Sequence, residues 1–126
     1  VAERARRPIR SAAELSRLVE RSVPRSRDTR RIHPATRTFQ ALRIAVNQEL
    51  AHLELGLQRL PECLRPGAVA AVISFHSLED RLVKQAFRGD ARWQPLTKKP
   101  LTPTDEETAR NPRARSAKLR VAQRVS

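Results

Sequence analysis

Glycine, cysteine and aromatic residues are scarce in this chain of 126 residues, and each scarcity removes a class of function. The glycines Gly56, Gly67 and Gly89 stand far apart, so no glycine-rich loop can wrap a nucleotide phosphate. One cysteine, Cys63, excludes an intrachain disulfide and a cysteine metal cage, which fits a reducing cytoplasm. It follows a helix end among apolar neighbours and reads as a buried structural thiol rather than a nucleophile. Aromatic residues make up 3% of the chain (Phe39, Phe75, Phe87 and Trp93) and apolar residues 39%, enough for a thin core. No apolar run reaches membrane-spanning length, and the basic N-terminus has no apolar signal-peptide core, so no membrane partner is expected. The first residue is Val1 rather than Met, which reads as a fragment.

Positive charge is what the sequence has in excess. Lys and Arg number 26 against 13 Asp and Glu, a net charge of +13, and a polyanion is the leading expectation for a partner. The plain alternative is a basic, solvated surface. An anionic membrane is a weaker candidate, because no basic amphipathic helix carries Trp or Phe opposite its charge.

Residues 1–10 are arginine-rich and extend a helix or fray. Ser11 and Glu14 have capping-box spacing, and Leu15, Leu18, Val19 and Ser22 follow on one helical face up to Pro24. Residues 24–33 read as a basic connector. Phe39, Leu42, Val46, Leu50, Leu53, Leu57 and Leu60 then step by three or four, which predicts one helix of roughly 25 residues with Phe39 in the core. Pro34 suits its first turn and Pro61 stops it. After the turn Leu64–Gly67, the run AVAAVISF (68–75) predicts a strand buried on both faces, one αβ half of a parallel sheet. Ser77 is placed to cap the next helix with Asp80 three residues on, and Gly89-Asp90 ends it. Residues 93–98 read as an edge strand with Pro95, 99–116 as a long polar loop, and 118–125 as a half-buried strand pairing antiparallel with 93–98.

Ligands bind beyond the carboxyl ends of strands in open α/β sheets, and helix N-termini favour anions. Ser74, His76 and Ser77 are therefore site candidates. Phe75 can stack on a base, although plugging the strand end is the better-supported role. His76 with Glu79 and Asp80 is too incomplete for a metal site, and no metal is expected. Asn111, Arg113, Arg115 and Ser116 form a basic loop suited to phosphates, and His33–Thr38, with Arg37, offers a second anion position at a helix start.

Together, HPATRTFQALRIAVNQEL (33–50), LRPGAVAAVISFHSLEDRLVK (64–84), TKKPLTP (97–103) and NPRARSAKLRVA (111–122) resemble the MraW/RsmH family of bacterial methyltransferases. Its members transfer a methyl group from S-adenosylmethionine to the N4 amine of a cytidine in small-subunit ribosomal RNA. The resemblance implies an α/β fold: the C-terminal part of a Rossmann-like methyltransferase domain, residues 33–126, preceded in 1–32 by the end of a helical insertion domain. The family's glycine-rich cofactor loop lies in an N-terminal half that this chain lacks. S-adenosylmethionine is then bound mainly by that missing half, no cofactor-binding residue maps here, and this segment alone is inactive. The resemblance further implies a cytoplasmic partner, the ribosomal RNA of the 30S subunit. Arg37, Ser74, Phe75, Ser77, Asn111, Arg113 and Arg115 are expected to bind substrate, with His76 the candidate general base. An unpaired sheet edge is also a route to a homodimer. The alternative from a different class is an RNA-binding module without catalytic activity.

Overall fold

The computed structural model describes residues 2–23 and 33–125, which form parts of two compact units, Val1–Gln48 and Glu49–Ser126. All but His33 of the basic connector read from sequence lies outside the described residues.

The first unit holds α1 (Ala2–Arg6), α2 (Ala12–Ser22) and α3 (Ala35–Asn47). Ser11 caps α2 as its spacing predicts, its Oγ accepting the Glu14 N–H at 3.1 Å. The Glu14 carboxylate reaches back to the Arg10 N–H at 3.0 Å, one residue earlier than a standard capping box. His33 joins α2 to the start of α3. Its Nδ1 accepts the Ala35 N–H at 3.2 Å and its Nε2 lies 2.7 Å from Glu20.

The single long helix expected from the apolar stripe is interrupted. α3 closes on Gln48, which takes a left-handed conformation (φ 52°, ψ 36°), and α4 (Glu49–Arg59) begins at the next residue. A non-glycine residue in that region costs on the order of 1 kcal/mol, and no glycine or proline marks the break. The stripe divides accordingly. Leu57 is buried and Leu53 and Leu60 pack beside it, whereas Val46 is 79% exposed.

In the second unit α4 runs into a 3₁₀ turn, Leu60–Cys63, that contains Pro61. Cys63 is exposed there, contrary to the buried thiol expected, because the turn presents its side chain outward while Pro61 takes the buried position. Gly67 follows with φ +84°, a conformation that favours glycine. β1 (Val69–Ser74), α5 (Ser77–Gly89), β2 (Trp93–Pro95), α6 (Asp105–Arg110), a second 3₁₀ turn (Pro112–Ser116) and β3 (Lys118–Arg124) complete the order. The predicted loop 99–116 thus contains a short helix, started by Thr104, whose hydroxyl accepts the Glu107 N–H at 3.1 Å.

The sheet has the order β1-β3-β2, and β3 is antiparallel to both neighbours. The expected pairing of β2 with β3 is present. β1 and β2 therefore point the same way, joined through α5, with a reversed strand between them. Trp93, Phe87, Val83, Leu57, Ala70 and Ala122 make the core between this sheet and helices α4 and α5. The Phe87 and Trp93 rings pack tilted, with centroids 5.2 Å apart. At the far end Arg124 closes the unit, its guanidinium donating to the carbonyls of Pro61 and Leu64 and its N–H to Ala68 O at 2.8 Å.

β1 is not buried on both faces. Ala70 and Ser74 are buried toward the helices, while Val69 and Ile73 are 55% and 58% exposed on the other face. β3 follows the same division: Arg120 and Ala122, paired with Val72 and Ala70, are buried, and Leu119 and Val121 on the opposite face are only half-buried. β1 also lacks a partner on its outer edge among the described residues.

Candidate nucleic-acid interface at the end of the sheet

β1 leaves the sheet at Ser74, and its register partner is Lys118, the first residue of β3. Because the strands are antiparallel, the segment that leads into β3 and the segment that leaves β1 meet at the same end. Ser74 is 4% exposed, and its hydroxyl donates to Lys118 O at 3.4 Å. Phe75 then turns outward, 55% exposed, rather than plugging the strand.

The helix that follows is capped by a residue the sequence did not mark. The N-cap is His76, not Ser77, and Glu79, not Asp80, occupies the third helical position. His76 Nδ1 accepts the Glu79 N–H at 3.3 Å, while Glu79 Oε2 accepts the N–H groups of Phe75 at 2.8 Å and His76 at 3.2 Å. Histidine is outside the usual set of capping residues, which is why Ser77 drew the assignment. A neutral ring whose Nδ1 accepts a hydrogen bond carries its proton on Nε2. That Nε2 is enclosed and makes no hydrogen bond, although Glu79 Oε1 stands 3.3 Å away. Ser77, the first helical residue, is exposed.

Glu49, His76 and Glu79 can each bring a ligand atom within 4.8 Å of the others. This trio differs from the His76, Glu79 and Asp80 set considered from sequence. A metal bound at Nε2 would need the lone pair that the capping tautomer replaces with a proton, and Glu79 already serves two backbone N–H groups. The donor set suits hydrogen bonding better than a cation.

Asp80 points away from the cap into the sheet. Arg120 donates to it twice, Nε to Oδ1 at 2.7 Å and Nη2 to Oδ2 at 3.2 Å, and Lys118 Nζ lies 3.6 Å from Oδ2. The hydrogen bonds from Arg120 hold the Asp80 carboxyl below its usual range; desolvation opposes this, and the charges of Arg120 and Lys118 reinforce it. Sequence reading missed this pair. The alternation in KLRVAQR was visible, but it gave no sign that the face bearing Arg120 would be the buried one.

The arginine loop is a 3₁₀ turn pinned by Ala114, which is buried, leaving Arg113 and Arg115 exposed on either side of it. Asn111 ends α6, its N–H donating to Glu107 O at 2.7 Å, and its side chain is exposed. Ser74, Phe75, His76, Ser77, Asn111, Arg113 and Arg115 thus belong to segments at or leading to one end of the sheet. Arg37 belongs to the first unit, exposed in the first turn of α3.

The second unit is thus α/β, with a strand-to-helix junction at one end of its sheet. The family follows from comparison: the model of the MraW methylase family matches residues 1–125, and the chain belongs to that family. It is 64% identical over 122 residues to a ribosomal RNA small subunit methyltransferase H from Rhodopirellula baltica, covering 97% of this chain and 37% of that protein. The protein of the same name from Synechococcus sp. (strain JA-2-3B'a(2-13)) is 62% identical over 95% of this chain and 38% of its own length. That from Thermomicrobium roseum is 51% identical over 100% of this chain and 44% of its own. The chain therefore spans about two-fifths of the length of these curated relatives.

A methyltransferase implies a methyl donor. None of the glycines here lies in a cradle that a Cβ would fill: Gly56, Gly67 and Gly89 each have open space within 4 Å. The residues present do not fit a glycine-lined cofactor loop. No helix among the described residues is long and apolar enough to cross a membrane.

Proposed function

We propose that this chain is the C-terminal part of the catalytic domain of an enzyme that methylates N4 of a cytidine in small-subunit ribosomal RNA, with S-adenosylmethionine as donor. The observation that carries this reading is the 64% identity across 97% of the chain to a protein whose name states a ribosomal RNA methyltransferase. The sheet supports a Rossmann-like frame: β1 and β2 point the same way around an antiparallel β3, and among the described residues β1 keeps a free edge and an apolar exposed face. In the longer protein, a further strand pairs with that edge and further helices cover Val69, Ala71 and Ile73. Residues 1–32 then close a helical insertion, and 33–126 end the catalytic domain. The donor is held by the part of the enzyme outside this chain, so this chain alone is inactive.

The N4 lone pair of cytidine is conjugated with its ring, so the chief demand on the protein is to orient the base and polarise its amine. The exposed Ser77 meets the base and Phe75 offers a stacking face, while the enclosed Ser74 and His76 hold the strand-to-helix link that presents them. Arg37, Arg113 and Arg115 hold phosphates, with Asn111 beside the latter two. With Nδ1 committed to the helix cap and Nε2 enclosed, His76 has no basic lone pair to offer the amine; we assign it to holding the strand-to-helix link, and water takes the amine proton.

Two measurements test this. Calorimetry of this chain with S-adenosylmethionine is expected to show no heat of binding; a measurable affinity contradicts the placement of the donor. In the full-length protein, Ser74→Ala with Ser77→Ala is expected to lower methyl incorporation into small-subunit RNA about tenfold or more. Unchanged incorporation removes these residues from the site. Bound RNA with no incorporation by the unmutated full-length protein favours the RNA-binding module instead.

A further inference from the structure

We propose that Asp80 and Arg120 are positioning residues that fix the RNA-facing end of the sheet, a role that rests on the function proposed above. Arg120 sits on the central strand, 7% exposed, on the face it shares with the apolar residues Ala70, Val72 and Ala122. An arginine is costly to bury there, and an apolar pair of similar volume would serve stability at least as well. What an apolar pair lacks is direction. The two guanidinium bonds to Asp80 set both the distance and the plane of contact between β3 and the first turn of α5.

That turn begins with the candidate site. The Asp80 N–H donates to His76 O at 3.1 Å, so Asp80 is one helical turn beyond the cap. On the strand side its carboxylate also meets Lys118, whose carbonyl accepts the Ser74 hydroxyl. Arg120 and Lys118 are the register partners of Val72 and Ser74. One carboxylate therefore ties together both ends of the Phe75-His76 link: the end of β1, through β3, and the start of α5. Releasing it lets α5 shift along its axis while its apolar side, Val83 and Phe87, stays packed. The site would loosen without the fold being lost.

The test uses the full-length protein, small-subunit RNA and S-adenosylmethionine, with Asp80→Asn and Arg120→Lys as separate variants. Arg120→Lys keeps the charge and removes the fork, so it remains informative if Asp80→Asn does not fold. Leu57→Ala, a core change, serves as a stability control matched by Tm. Each variant is expected to lose about tenfold or more in kcat, with KM for the donor and Kd for RNA within about twofold of wild type. The double variant is expected to be no worse than either single one. The proposal is overturned if kcat stays within about twofold in the folded variants, or if its loss matches that of Leu57→Ala at equal Tm. It is also overturned if RNA affinity falls in place of kcat, since Arg120 would then act as an RNA contact. If Ser74→Ala with Ser77→Ala abolishes methylation while Asp80→Asn and Arg120→Lys do not, this inference fails alone; if all are silent, the site assignment itself fails.

Discussion

The two faces of the sheet in the second unit differ in a way that composition does not reveal. Toward the helices the strands show Ala70, Val72, Trp93, Ala122 and a buried arginine. Away from them stand Val69, Ala71 and Ile73 of β1 with Leu119 and Val121 of β3, an apolar set without a buried charge, and these are exposed or half-buried. Ordinarily the apolar face of a half-buried sheet is the covered one. Two observations bear on this: Arg120 has an acid partner that makes its burial tolerable, and no described element of the second unit covers the other face. The covered face is thus packed within the second unit, and the other face is left open there.

That contrast sets the order of expected effects in this chain. Phe87→Ala, in the covered core, is expected to destabilise the second unit by about 3–5 kcal/mol, whereas Val69→Ala on the bare face changes it by less than about 0.5 kcal/mol. Urea unfolding of the two variants measures both, and equal losses would erase the distinction between the faces.

The buried ion pair ranks next. Removing one partner of such a pair costs about 3 kcal/mol. Its pH signature has a definite sign. The Asp80 carboxyl lies below its ordinary range when folded, so its contribution is fully present above the unfolded carboxyl pKa of about 4. It is lost as pH falls from there through the folded value. Asp80→Asn should therefore flatten the acid limb of the stability curve below about pH 4. A variant with the wild-type acid limb would show that Arg120 does not hold the carboxylate.

The cap is a smaller matter. His76→Ala removes the acceptor for the Glu79 N–H and is expected to cost about 1 kcal/mol by the same unfolding assay, with Ser77→Ala costing less. The reverse order would return the cap to Ser77. The least effect on stability, and a distinct one on binding, belongs to the arginine loop. Arg113→Ala and Arg115→Ala in the full-length protein should each lower the slope of log affinity for RNA against log salt by about 1. An unchanged slope removes that arginine from the phosphate contacts.

Much of this architecture was legible in the residues, and the exceptions share a cause. Ser11, Pro61 and the apolar run 69–74 act locally, through a cap, a missing donor and β-branched packing, so their effects can be read without the fold. The pairing of 93–95 with 118–124 was also readable from alternation. The break at Gln48 was not, because the residue there that favours a left-handed conformation is Asn47, while Gln48 is the one that adopts it. Nor was the turning of Asp80 toward Arg120, a partner 40 positions away. At the strand-to-helix junction the capping roles shifted by one position: the cap moved from Ser77 to His76, and the third-position acid from Asp80 to Glu79, freeing Asp80 for the sheet. For His76, the candidate general base that the resemblance implies, the bond to its Nδ1 is visible only in the fold.

The central claim is that the bare face is interior in the whole enzyme while the sheet end stays open to RNA. Ile73→Lys, introduced in both this chain and the full-length protein and followed by chemical unfolding, tests it most directly. The account predicts a change within about 0.5 kcal/mol in this chain and a loss of more than about 2 kcal/mol in the longer protein, where a lysine would be buried without a partner. Equal tolerance in both would contradict it.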